Sequence, residues 1–304
     1  LVDAKTASFD TNGNDVTLAT PFGGGAIAAA VTKRGAGTLT LAAANDYTGP
    51  TTVSAGTFQI GNGGSSGSFG ATQVAIAAGA TLAYYRNNDL VLANTLSGAG
   101  TLELLGTGAR GQSHYAMRQA NAGFTGNVIV RSGARLGIEN TAGIGQGPVT
   151  VESGGGVYVA IGATGGVANQ ISNDFIIAGT GWQEGAGRLG ALRLISGNVT
   201  GDILLVDDAR IGAWPGQGGI ISGVISDGGE GHGLEKSYGG GITLTGLNTY
   251  TGATTLSGGT LFVGTLADGG DASSIGASSA DAANLVFAGG TLAYTGADVS
   301  IDRN

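Results

Sequence analysis

Short runs in which an apolar residue alternates with a small or polar one recur along the chain, each introduced by one or two glycines. They read AGTFQI (55–60), AGATLAY (78–84), GAGTLEL (98–104), SGARLGI (132–138), SGGGVYV (153–159), GGTLFV (258–263) and GGTLAY (289–294). Alternation with a period of two predicts strands with one face turned inward. In GTLTL (37–41), Leu39 and Leu41 share one face and Thr38 and Thr40 the other. Helical periodicity is absent almost everywhere. The threonines at 38, 57, 81 and 101 are spaced by 19, 24 and 20 residues. A period near 21 is too short for a pair of helices and suits one turn of a β-solenoid.

One such turn is two or three short strands joined at corners, where positive φ or side-chain-to-backbone bonding favours Gly and Asn. A single turn cannot bury its apolar face, but turns stacked about 4.8 Å apart can, with strands paired in parallel and in register. The expected fold is all-β, a right-handed parallel β-helix of about 14 coils forming a single domain over residues 1–304. Two segments break the rhythm. Residues 106–123, GTGARGQSHYAMRQANAG, read as a loop insertion, and residues 179–188, GTGWQEGAGR, as a second excursion.

A longer repeat lies on top of the short one. Residues 37–61, GTLTLAAANDYTGPTTVSAGTFQIG, and 240–264, GGITLTGLNTYTGATTLSGGTLFVG, agree at 13 of 25 positions without gaps at an offset of 203. Asn45/Asn248, Tyr47/Tyr250, Thr48/Thr251, Gly49/Gly252 and Gly56/Gly259 are among the matches, and Lys33/Lys236 fall at the same offset. The best-matching repeats span 31–61 and 234–264, and a weaker copy, FTGNVIVRSGARLGI, lies at 124–138.

Composition agrees with many tight bends between strands. Glycine fills 62 of 304 positions, about three times ordinary usage, and proline only four. Hydrophobic residues reach 41% against 11% charged, the reverse of a disordered chain. A net charge of −8 argues against nucleic acid as a partner and against an anionic membrane surface. Without cysteine there are no disulfides or thiolate metal sites. No run of about 20 predominantly apolar residues occurs, so no membrane-spanning helix is expected. The start, Leu1-Val-Asp-Ala-Lys5, lacks an initiator Met and an apolar signal core, and reads as a mature chain or an excised fragment.

The segments KRGAGTLTLAAANDYTGPTTVSAGTF (33–58) and GIISGVISDGGEGHGLEKSYGGGITLTGLNTYTGATTLSGGTL (219–261) closely resemble the passenger-associated repeat of bacterial autotransporters. GALRLISGNVTGDILLVDDARIGA (190–213) resembles the stretch that often precedes it, and the resemblance covers about a third of the chain. It implies a β-helical passenger secreted through a C-terminal outer-membrane barrel, with repeats that assist translocation and folding. Such a barrel would lie beyond Asn304. Passengers of the family adhere, self-associate, cleave proteins or act as toxins, so the resemblance alone does not choose an activity.

Candidate chemistry is sparse. Asp207-Asp208 followed by Gly231-His232-Gly233 has the spacing of β-helical polygalacturonases, whose carboxylates act as general acid and base. The other elements of that pattern, N-T-D and R-I-K, are missing, and the aspartates read equally as corner residues. The G-D-S-G motif of serine proteases and the calcium nonapeptide are absent; DGGEGHG (227–233) and DGGD (268–271) read as loose acidic turns. Tyr84-Tyr85, Trp182 and Trp214 are candidates for stacking on sugars, although Tyr84 and Tyr294, both in TLAY, suggest an internal stack. One T-x-T (Thr38, Thr40) does not make an ice-binding array.

Four of the thirteen basic residues, Arg110, Arg118, Arg131 and Arg135, lie within 26 positions. With His114, Tyr115 and Met117 they outline a candidate binding surface for an acidic partner or sulfated glycan. The expected function is a secreted or surface-exposed scaffold for adhesion or self-association. Its partner is a host-cell surface or matrix component, or a second copy of itself. No catalytic residues, metal ligands or cofactors are expected. The alternatives are a polygalacturonase-like enzyme and an effector that binds a host receptor.

Overall fold

The computed structural model describes residues 2, 4–22, 28–70, 73–109, 111–162 and 169–303. They form an all-β parallel β-solenoid of about 11 turns. Helix among the described residues is confined to one 3-10 turn, Ala282–Asn284. The chain divides into two compact units, Leu1–Leu136 with Ala142–Pro148, and Gly137–Thr141 with Val149–Asn304.

In the first unit, strands Thr6–Asp10, Ala30–Arg34, Thr51–Val53, Gln73–Ile76 and Thr95–Ser97 build one parallel sheet. A second parallel stack contains Val16–Leu18, Thr38–Leu41, Thr57–Ile60, Thr81–Tyr85, Thr101–Leu105 and Asn127–Val130. Its register aligns Leu39, Phe58, Leu82, Leu102 and Val128 in one inward file, and all five are buried. Each such side chain contributes about 1.5–3 kcal/mol through removal from water. Thr38, Thr57, Thr81 and Thr101 pair directly with one another, so their spacing in sequence is the circumference of successive turns.

The turn count is below the expected 14 because many turns are longer than 21 residues. The paired residues Thr101 and Asn127 stand 26 apart, Thr260 and Thr291 stand 31 apart, and Val157 and Leu192 stand 35 apart. The longer intervals contain further strands, such as His114–Met117 between Thr101 and Asn127, and do not add turns.

The stretch 106–123 is not simply a loop leaving the solenoid. It contains the strand His114–Met117, which pairs in parallel with Leu90–Val91 and buries Tyr115, Ala116 and Met117. Exposing this apolar set to water would cost more than ordering it, so the segment joins the stack.

In the second unit, strands Gln170–Ile171, Asn198–Val199, Gly218–Ile221, Gly241–Leu244, Thr260–Val263 and Thr291–Tyr294 form a parallel sheet. The ten-residue strand Ile203–Gly212 serves two faces: Ile203 pairs with Phe175 and Ile225, and Ala209 with Leu234. Ile211, Lys236, Leu256 and Phe287 are aligned along the second of these faces. The 179–188 excursion contains an antiparallel pair, Gln183–Glu184 with Gly187–Arg188, and Trp182 beside it is buried.

Candidate functional site

The matched repeats place the same polar groups in each unit. Lys236 sits in an otherwise apolar file and is 1% exposed. Its ammonium donates to the carbonyls of Ser237 (3.1 Å), Tyr238 (2.9 Å) and Gly258 (2.8 Å). Lys33, fully buried in the first unit, donates in the same way to Arg34, Gly35 and Ala55. These are the same positions shifted by 203 residues. Three donors matched to three carbonyls of one corner let a charge reside inside. Burial still pulls the Lys236 amine down to about 8 and lowers Lys33, the latter against the opposing influence of Asp10.

The N-x-Y-T-G motif supplies the rest of the corner. Asn248 accepts from the Ile225 amide at 2.9 Å and donates to the Ser274 carbonyl at 2.8 Å, so its side chain bridges the turns on either side. Asn45 accepts from the Phe22 amide and donates to the Ser68 carbonyl. Asn121, ahead of the weak copy, does the same with the Leu96 amide and the Gly143 carbonyl. The Tyr250 hydroxyl meets the Thr254 hydroxyl at 2.6 Å, and Tyr47 meets Thr51 at 2.7 Å. Burial raises both phenols well above their ordinary range. The motif glycine is required by close approach: a Cβ on Gly252 would lie 2.3 Å from the His232 carbonyl carbon, and one on Gly49 2.2 Å from the Ala29 oxygen.

The corner carrying Asp207, Asp208 and His232 is organised by a residue that sequence reasoning passed over. Asp227 is 2% exposed, and its carboxylate accepts from the amides of Gly229, Gly231, His232 and Thr251 and from the Thr251 hydroxyl. Burial disfavours its charge, but the hydrogen bonds led by Thr251 outweigh it and bring the carboxyl down to about 2. The turn 227–233 is therefore built, not loose. Its signal was an aspartate ahead of glycines, the arrangement in which a carboxylate bonds the backbone following it.

Asp207 and Asp208 lie where the strand passes from one register to the other, both exposed. Asp207 accepts from the Asp208 amide at 2.8 Å, and Asp208 accepts from the Gly233 amide at 2.7 Å. A groove of about 320 Å³ beside them is lined by Asp208, Gly231, Gly233, Glu235 and Thr255, among others. Both aspartates thus hold backbone.

The basic cluster separates into different environments. Arg110 lies outside the described residues. His114 Nδ1 stands 3.5 Å from Asp89 Oδ1, with its side chain 15% exposed. Tyr115 is buried; its hydroxyl donates to the Leu105 carbonyl at 2.9 Å and accepts from the Arg86 amide at 2.9 Å, so it is a core residue and not a contact for a ligand. Desolvation raises that phenol to about 12. Met117 is also buried, Arg118 is exposed, and Arg131 pairs with Glu103 at 2.6 Å. Arg135 is half-buried, and its amide donates to the Ser113 carbonyl, next to the His114 strand.

The aromatics also divide. Tyr84 is buried between Phe69 and Tyr115, with ring centroids 6.3 and 6.2 Å away, an internal stack that does not extend to the part-exposed Tyr294. Trp182 is 6% exposed, whereas Trp214 is 39% exposed and stacks on Tyr238 at 5.7 Å.

The fold is a parallel solenoid whose N-x-Y-T-G corners are tied to the turns on either side. Comparison with known proteins supplies its class. The passenger-associated transport repeat family matches residues 31–60 and 234–263. The adhesin BmaC autotransporter of Brucella suis biovar 1 (strain 1330) is 34% identical over 254 residues, which is 76% of this chain and 7% of that protein. No solved structure matches at a significant level. The chain carries the repeats of autotransporter passengers, and these findings support its export through the outer membrane to the cell surface. It spans a small part of its relative's length. Among the described residues, no helix is long and apolar enough to cross a membrane.

Proposed function

We propose that this segment is an adhesive scaffold: a stack of turns that folds outside the cell and presents its exposed side chains to a host-cell surface or matrix component. The observation that carries this reading is the relation to an autotransporter adhesin over 254 residues. The polar groups at the most enzyme-like corner are engaged in holding backbone, which favours a structural role for Asp207, Asp208 and Asp227 over hydrolysis. The repeats at 31–60 and 234–263 carry dense buried networks, which suits a part in secretion and folding as well. Self-association of neighbouring passengers through the same polar sides is the companion mode of attachment.

The test is to couple the protein to beads and count attachment to cultured epithelial cells and to immobilised matrix proteins, with bead clumping scored in parallel. Attachment or clumping above an uncoated control is expected. Neither, together with turnover of a polysaccharide that Asp208→Asn abolishes, overturns the scaffold in favour of an enzyme.

A further inference from the structure

The second unit presents one aromatic platform to solvent, and its construction is unlike the buried stacks. Trp214 opens the turn Trp214-Pro215-Gly216-Gln217, closed by the Gln217 amide donating to the Trp214 carbonyl at 2.8 Å. Proline second and Gly216 third at φ +78° make this a type II turn. Tyr238, the ring beneath, holds φ +62°, a conformation that a residue with a side chain adopts at a cost. It is kept there by the Lys236 ammonium on its carbonyl and by its hydroxyl donating to Ala186 O at 2.7 Å. The Tyr238 ring is thus held before any ligand arrives, and Trp214 stacks on it, which reduces the entropy lost on binding.

Beside the platform lies an open hollow of about 340 Å³ lined by Arg210, Glu235, Ser237, Tyr238 and Ser257. Arg210 and Glu235 pair at 2.8 Å, and Ser257 donates to the same carboxylate. On the strand next to Arg210, Arg193 donates to the side chains of Glu184 and Gln217. The surface thus combines an aromatic face with donors and acceptors whose charges are largely balanced.

We propose that the Trp214–Tyr238 platform and the adjoining Arg210–Glu235 hollow bind a sugar ring of a glycan. The inference rests on the adhesive reading and names its ligand class. The C–H face of a pyranose places weakly positive hydrogens against the negative face of an indole. Its hydroxyls exchange hydrogen bonds with guanidinium, carboxylate and hydroxyl groups. A peptide adding as a strand has no free edge here, because Leu234–Ser237 is paired on both sides. Nucleic acid is repelled by the net charge of −8.

The chain has two tryptophans and the other is buried, so an emission change on binding that is lost in Trp214→Ala reports the platform. The protein is titrated with cello-, chito-, xylo- and galacto-oligosaccharides, with polygalacturonate and heparin as the anionic arms. At least one is expected to shift Trp214 emission and to protect that residue from N-bromosuccinimide. Trp214→Ala is expected to weaken this binding at least tenfold, and Trp214→Phe to weaken it less, with circular dichroism unchanged. Binding that survives Trp214→Ala overturns the proposal, as does the absence of Trp214-dependent binding to every probe. Beads carrying Trp214→Ala separate the two readings: undiminished attachment to cells overturns the glycan site and leaves adhesion standing. Glycan binding without attachment to cells or matrix does the opposite.

Discussion

The Asp227 carboxylate accepts the Thr251 hydroxyl at 2.7 Å, joining the acidic turn of one coil to the N-x-Y-T-G corner of the next. The bond is one of several that stabilise the charged carboxylate, so its folded-state pKa, about 2, lies below the ordinary 3.8. A depressed carboxyl contributes stability above about 3.8 that is lost as pH falls towards 2. Turn 227–233 is therefore expected to gain proteolytic susceptibility across this acid window. Asp227→Ala should cost about 2 kcal/mol or more at neutral pH, and its unfolding should depend less on pH below 4. Urea unfolding at pH 7, 4 and 2.5 checks both.

Lys236→Met keeps the stem of the side chain and removes the ammonium that serves three carbonyls. Leaving buried acceptors unmet costs about 1–3 kcal/mol each, partly relieved by water. A net loss of about 3 kcal/mol is expected in the urea unfolding of the second unit. A loss under 0.5 kcal/mol would show that the corner does not depend on the lysine.

Two glycines with positive φ should respond differently to alanine. Gly259 has φ +63°, and an added Cβ would lie 2.2 Å from the Tyr238 carbonyl oxygen. Gly270 has φ +93° and open space around it. Gly270→Ala should cost about 1–2 kcal/mol from backbone strain alone, and Gly259→Ala clearly more, because backbone must move. Thermal unfolding of the two variants ranks them.

Tyr115 and Arg118 lie three residues apart and should separate stability from binding. Tyr115→Ala empties a buried site and is expected to cost about 3–5 kcal/mol. Exposed Arg118→Ala should leave stability within about 0.5 kcal/mol. If the basic surface contacts a partner, only Arg118→Ala lowers bead attachment without lowering the melting temperature.

The sequence by itself determined the strands of the regular repeats, their inward faces and much of their register, though not the strand His114–Met117. Alternation marked Leu39 and Leu41 as core, and the Thr38, Thr57, Thr81, Thr101 spacing turned out to be a ladder of paired residues. This was legible because a strand's side-chain period is local and a solenoid repeats it on each coil. The 203-residue offset likewise anticipated that Lys33 and Lys236, or Tyr47 and Tyr250, would do the same work.

Only the tertiary structure decided where polar and aromatic residues at corners and insertions went. Asp227 became a buried hub, Tyr115 entered the core, and of the two tryptophans Trp182 was covered while Trp214 stayed exposed. The partners responsible sit on other turns: Thr251 is 24 residues from Asp227, Arg86 is 29 from Tyr115, and Gly258 is 22 from Lys236. A buried polar side chain is stable only where such donors and acceptors meet it, and stacking the coils is what brings them within reach.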